Sequence, residues 1–322
     1  MNIKTRTSPL GIVCSVFAIG GFCLAASASG QTVIEFNDNG GDGQYTTLGN
    51  WVGGAVPDLT TGNTAQINDG VAVTYTPGGD LIISNGSTLE LTSGSWTQAG
   101  NNNYIQLGQM GNGTGTGNGT FLINGGTFNQ GTDSATPFNI TGTGNLFEIT
   151  SGAANVTTSF QVGAGLAYLQ TGGTVTSGEF DFNTTGITMT GGVLNTPTLT
   201  GVNSGGATAV FTLSGGTINL GQVYGGGTTR YVNFTVGSTG ELVFNSTQGI
   251  GVAAVENYLS SGTIEYNGTV DAAAFSVTTS GSDTILSLVT AAVPEPSTYA
   301  LLALGSVVLG LAWKRRSRPV TV

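Results

Sequence analysis

Glu179 and Asp181 stand two residues apart. In an extended chain that spacing puts both carboxylates on one face, about 7 Å apart along the strand. A carboxylate pair at such a distance is the equipment of glycoside hydrolysis; with calcium and a basic proton abstractor, acids also serve polysaccharide lyases. Arg230 is the basic residue available in the body, flanking an apparent strand Tyr231–Val236. The competing reading, adopted here, is that both acids point outward beside a buried Phe180 and Phe182. A second group is Asp38, Asn39 and Asp42, closely spaced oxygen ligands in a Gly-rich loop, as hard cations prefer. It lacks the ligand set of an EF-hand loop, does not recur along the chain, and reads as a solvated turn. Third, Thr127, Thr174 and Thr217 occupy one register of a repeat and could present a ladder to ice or crystalline polysaccharide. Ser95, Ala153 and Val193 interrupt it.

What the chain lacks narrows the chemistry further. There is no histidine, and the two cysteines, Cys14 and Cys23, lie in an N-terminal apolar run. Imidazole triads and zinc sites built on imidazole are excluded, as are disulfides and thiolate chemistry in the mature chain. No cofactor or metal is implied. Between the two terminal segments sixteen acids face the single base Arg230, giving fifteen net negative charges. Such a body repels nucleic acid, whose binding needs clustered Lys and Arg.

The elements that position these residues follow from a repeat. The segments Phe121–Phe128 (FLINGGTF), Ile187–Leu194 (ITMTGGVL) and Phe211–Ile218 (FTLSGGTI) share one form, with weaker copies at Leu89–Trp96, Phe147–Ala154 and Tyr168–Val175. Marking the last glycine gives Gly70, Gly94, Gly126, Gly152, Gly173, Gly192, Gly216, Gly240 and Gly262, at intervals of 24, 32, 26, 21, 19, 24, 24 and 22 residues. Apolar residues five and three positions before the glycine and two after it alternate as a strand with one buried face does. The glycine supplies the bend or positive φ between two faces. Each period holds another short alternation, such as Ile105–Leu107, Phe138–Ile140, Phe160–Val162 and Phe180–Phe182.

Two or three short strands in about 24 residues make one coil of a β-solenoid, whose apolar faces are buried only by stacking. The expected fold is all-β: a single-stranded right-handed parallel β-helix of roughly nine coils. A β-sandwich is the competing architecture. No helical apolar period is read in the body. Residues 29–77 are expected to form an N-terminal cap and first coil, with Trp51 as cap packing, and residues 78–290 the repeats. Gly111–Gly119 reads as a loop leaving one coil.

Both ends carry targeting features. Lys4 and Arg6 precede an apolar run, Leu10–Ala26, and the small-residue sequence Ala26-Ser27-Ala28. That order is a secretory signal peptide, 1–28, cleaved after Ala28, with Ala26 and Ala28 as the recognised small residues. At the other end, residues 291–322 contain Val293, Pro294, Glu295, Pro296, Ser297 and Thr298, then an apolar run 299–313 expected to form a short transmembrane helix, then Lys314, Arg315, Arg316 and Arg318. Fifteen apolar residues fall short of the ~20 that span a bilayer comfortably. The basic cluster stays cytoplasmic and leaves the body outside the inner membrane.

This last segment resembles the PEP-CTERM sorting signal of Gram-negative-type bacteria, over about the last thirty residues. The resemblance implies an inner-membrane exosortase as partner, cleavage near Pro294-Glu295-Pro296, and delivery to the envelope or an exopolysaccharide matrix. The body is similar to the Gly-Gly-Thr repeats of autotransporter-like β-helical surface proteins, which implies a stalk, adhesin or matrix role and no catalytic residues. The expectation is therefore an exported, non-enzymatic surface or matrix protein. It passes through the inner membrane as an anchored intermediate and has an extracellular polysaccharide as a further partner. The alternatives are a carbohydrate-active β-helix enzyme and an ice- or polysaccharide-surface binder.

Overall fold

The structure is a computed structural model, and it describes residues 31–76, 81–99, 105–108, 117–130, 138–140, 144–163, 165–201, 208–224, 229–245 and 249–289. The signal peptide, the sorting segment and most of the Gly111–Gly119 loop lie outside the described residues.

The described chain is mostly β-strand. Strand pairs from Val33–Glu35 through Ile264–Tyr266 run parallel, each strand beside the corresponding strand of the next repeat. One ladder sets Ala65, Leu89, Phe121, Phe147, Tyr168, Ile187, Phe211, Val232 and Ile264 side by side. Each of the nine is buried. The residues expected in one inward column are therefore in one. A second ladder aligns Val73, Trp96, Phe128, Ala154, Val175, Leu194, Ile218 and Leu242. A third pairs Phe138, Phe160, Phe180, Leu199 and Val223.

Alternation explains the columns. A parallel strand keeps like faces together, so every second side chain of each repeat falls on one interior line. Each Phe, Ile or Leu so buried contributes about 1.5–3 kcal/mol. The rings also meet favourably: Phe147 stacks on Tyr168 at 5.5 Å between centroids, and Phe160 on Phe180 at 5.2 Å.

The first six sequence intervals recur in the first ladder, whose rungs from Ala65 to Phe211 are 24, 32, 26, 21, 19 and 24 residues apart. Gly240 keeps its place too, since Thr217 pairs with Glu241 just after it. Gly262 does not. It ends an α-helix, Val252–Ser260, that the reading of the body as free of helical periodicity missed. Gly262 has φ +74°, its N–H donates to the Leu259 carbonyl, and the Thr263 N–H donates to that of Tyr258. That pattern is a Schellman cap, which favours glycine in the left-handed region. Only Val255 and Leu259 of the helix are buried, one i, i+4 pair in nine residues. So short an amphipathic stripe leaves little periodicity to detect.

The ends depart from the parallel pattern. At the first end Trp51 is 2% exposed, donates its indole N–H to the Tyr45 carbonyl at 2.6 Å, and meets Phe36 and Tyr45 edge-to-face. The indole is packed inside rather than offered at the surface. At the other end Asp283–Leu288 pairs antiparallel with both Glu241–Phe244 and Phe275–Ser280. The parallel β-helix expectation did not include this hairpin. It covers a strand edge that would otherwise offer unpaired N–H and C=O groups.

Candidate binding face

Phe160, Phe180, Leu199 and Val223 point inward, so the residues beside them in the third ladder point outward. One outward row sets Gln161, Asp181, Thr200 and Tyr224 in register; beside it Ser159 pairs with Glu179, and Thr198 with Gln222. Glu179 and Asp181 are thus brought together on the outer surface beside the Phe180 and Phe182 core. This is the arrangement the sequence reading adopted.

The side chains form a connected polar surface. Ser159 Oγ donates to Asp181 Oδ2 at 2.9 Å and Gln161 Nε2 to the same oxygen at 3.4 Å. Thr200 Oγ1 donates to Glu179 Oε1 at 2.9 Å. Asp181 Oδ1 is shielded from solvent and has no donor. Burial pushes the Asp181 carboxyl up to about 6, the Ser159 hydroxyl opposes this, and the neighbouring Glu179 reinforces it. Tyr224 ends the row at 55% exposure, the one aromatic among the large apolar side chains left exposed in the described residues. Tyr224, Thr200 and Gln161 were not singled out from the sequence. The alternation of Ile218 and Leu220 would put Tyr224 inside; it shifts by one residue at Gly221, so that Val223 is buried and Tyr224 exposed.

Arg230 does not serve the acids. Its Cβ lies over Gly201, Nη1 donates to the Gly201 carbonyl at 3.4 Å, and Nε is buried without an acceptor. No hydrogen bond joins it to Glu179 or Asp181. Arg230 is thus not placed at the pair as a proton abstractor for lyase chemistry.

The Asp38–Asp42 loop is a self-satisfied turn. Asp38 Oδ1 accepts the Gly43 N–H at 2.9 Å. Asp42 accepts from Thr47 Oγ1 and Asn50 Nδ2, each at 2.6 Å, and from the Gln44 N–H at 2.9 Å. These donors, Thr47 first, hold the Asp42 carboxyl below its usual range. Among the described residues no three acids gather as metal ligands.

The Thr register is present as read. Ser95, Thr127, Ala153, Thr174, Val193, Thr217 and Glu241 lie on one ladder. The parallel row beside it is rich in asparagine, and its amides are turned to one another. Asn155 Nδ2 donates to Asn129 Oδ1 at 2.9 Å and Asn219 Nδ2 to Asn195 Oδ1 at 2.8 Å.

The remaining candidate residues form the terminal signals. Ala26 and Ala28, Val293 to Thr298, and Lys314, Arg315, Arg316 and Arg318 lie outside the described residues. Sequence comparison speaks to the C-terminal group. Residues 292–316 match the PEP-CTERM protein-sorting motif. The match takes in all of Val293–Thr298 and the bases Lys314, Arg315 and Arg316. The PEP-CTERM motif implies export, recognition by an exosortase, and a membrane-anchored intermediate before the cell envelope. No curated protein and no solved structure matches this chain. Among the described residues no helix is long and apolar enough to cross a membrane.

Proposed function

We propose that this protein is a non-enzymatic structural or adhesive component of the bacterial surface or exopolysaccharide matrix, delivered by the PEP-CTERM route. Its three ladders wind as the faces of a right-handed β-solenoid of roughly nine coils. The observation that supports this reading is the first ladder, in which nine repeats place their apolar residue on one buried line. Such a body is long and stiff, and its outer rows are set by backbone register. Stacked coils hold their side chains without a closed pocket, which suits attachment along a polymer better than turnover of a small substrate.

The route is tested by mass spectrometry of the mature protein. Loss of residues beyond Pro294-Glu295-Pro296 supports processing, whereas intact Lys314–Arg318 in envelope fractions argues for a permanent anchor. The non-enzymatic reading is tested by incubating the exported protein with neutral, acidic and amino-sugar polysaccharides. Turnover that Glu179→Gln or Asp181→Asn abolishes would overturn it in favour of a carbohydrate-active enzyme. Thermal hysteresis lost on replacing Thr174 and Thr217 would favour the ice-binding alternative.

A further inference from the structure

We propose that the outward row Gln161–Asp181–Thr200–Tyr224 binds a cationic amino-sugar polysaccharide, a ring stacking on Tyr224 and an amine pairing with the Glu179 and Asp181 carboxylates. The inference rests on the matrix reading above and names the polymer that reading leaves open.

Geometry carries the first part. Asp181, Thr200 and Tyr224 occupy successive strands, so the acid and the aromatic are two strand spacings apart, about 9.5 Å. That is the reach of two linked sugar rings laid across the strands. The Tyr224 ring, 55% exposed at the end of the row, offers an apolar face to the apolar face of a pyranose. Between these ends, Thr200 and the neighbouring Gln222 supply a hydroxyl and an amide at the same level as the sugar hydroxyls.

Charge selects the polymer. Asp181 in the row and Glu179 beside it are two carboxylates; Arg230, the one base of the body, is engaged with the Gly201 carbonyl instead, and the body around them carries fifteen net negative charges. An acidic polysaccharide would be repelled along its length, while a polymer bearing ammonium groups would be drawn in at long range. Asp181 Oδ2 already accepts from Ser159 and Gln161, and Glu179 Oε1 from Thr200, so the two carboxylates are held in place before an ammonium group arrives. A hydrogen bond to a charged group is worth more than one between neutral groups.

The test uses the full-length chain and three probes: glucosamine hexamer, N-acetylglucosamine hexamer and an alginate oligomer, with affinity measured by titration calorimetry. Glucosamine hexamer is expected to bind, the acetylated oligomer to bind about tenfold more weakly, and alginate not at all. Tyr224→Ala and the pair Glu179→Gln with Asp181→Asn should each cost about tenfold, and the acid pair should also remove most of the salt dependence. Val33→Ala, at an exposed side chain outside the row and the Thr ladder, should leave affinity unchanged and serves as the control. No binding of glucosamine hexamer overturns the inference. So does binding that ignores Tyr224 and the two acids, which would mark diffuse attraction to the acidic body. Tight binding of the acetylated or acidic probe with no turnover would sink this inference alone and leave the matrix reading standing.

Discussion

A Cβ built on Gly216 would lie 2.7 Å from the Gly192 carbonyl oxygen, and one on Gly192 would lie 2.4 Å from that of Gly172. The recurring glycine therefore does two things. Its φ, +79° at Gly192 and +85° at Gly216, turns the chain between two faces, and its missing side chain lets successive turns approach. The parallel register slips between Met189 and Val193 and resumes beyond, so the turn happens within the strand pair.

Gly192→Ala should accordingly lower stability by about 3 kcal/mol, combining the left-handed φ with a backbone clash. Gly41→Ala is the control, with φ +74° but nothing within 4 Å of the added methyl, and should cost about 1 kcal/mol. Denaturant melts of the two variants against the parent measure the difference. Equal losses would mean that close packing of the turns contributes nothing.

The inward column makes a separate claim. Phe147 is fully buried and touches Phe121, Phe160 and Tyr168 at 5.6, 5.1 and 5.5 Å between ring centroids. Phe147→Ala removes a ring from the middle of the stack and should cost about 3–5 kcal/mol. Val236→Ala, at a side chain 68% exposed, should change stability by less than about 0.5 kcal/mol. Loss of cooperativity in the Phe147→Ala melt would show that neighbouring repeats uncouple at the cavity.

These contrasts show where the sequence was legible. Phe121, Ile187 and Phe211 could be aligned because each precedes a Gly-Gly pair at a fixed distance, and the side-chain period of a strand converts that distance into a face. The outward placement of Glu179 and Asp181 followed from the same parity. Gly262 was misleading because a helix cap and a β-turn use the same residue for the same reason, positive φ. The terminal hairpin had no signal of its own: Phe275–Ser280 and Asp283–Leu288 alternate like any strand, and direction is not written in alternation. Tyr224 was passed over because the glycine mark was followed only to Ile218, and the parity read there shifts at Gly221 before Tyr224 is reached.

The N-terminal cap predicts an outcome for metal chelation. Asn50 is fully buried; its Oδ1 accepts the Gly40 N–H at 2.8 Å, and its Nδ2 donates to Asp42 Oδ1 and the Gln44 carbonyl. Asn50→Ala strips these partners and should cost about 2–3 kcal/mol. A chelator should leave the melting midpoint of the parent unchanged, because side-chain and backbone donors already occupy the Asp42 oxygens. A midpoint that falls with chelator and returns with calcium would restore the cation reading of Asp38, Asn39 and Asp42.

Asp181 links stability to pH in a direction opposite to that of most carboxylates. Its folded pKa, about 6, lies above that of an ordinary aspartate, about 3.9, so folding favours the protonated acid. Its contribution is fully present below pH 4 and is lost as pH rises through 6. Two pKa units correspond to about 3 kcal/mol, but the group is half exposed, and screening by solvent brings the expected effect down to about 1 kcal/mol. Asp181→Asn keeps the acceptor for Ser159 Oγ without the charge. It should therefore stabilise the protein by about 1 kcal/mol at pH 8 and leave stability nearly unchanged at pH 4. Denaturant unfolding at the two pH values measures this directly. A stabilisation equal at both would trace to packing rather than to the ionised carboxylate. If the same residue holds a polysaccharide amine, affinity moves the other way, weakening as pH falls below 6 and Asp181 loses its charge. Opposite slopes for stability and affinity across pH 4–6, below the range in which a glucosamine amine loses its own proton, would separate the two roles of this one carboxylate.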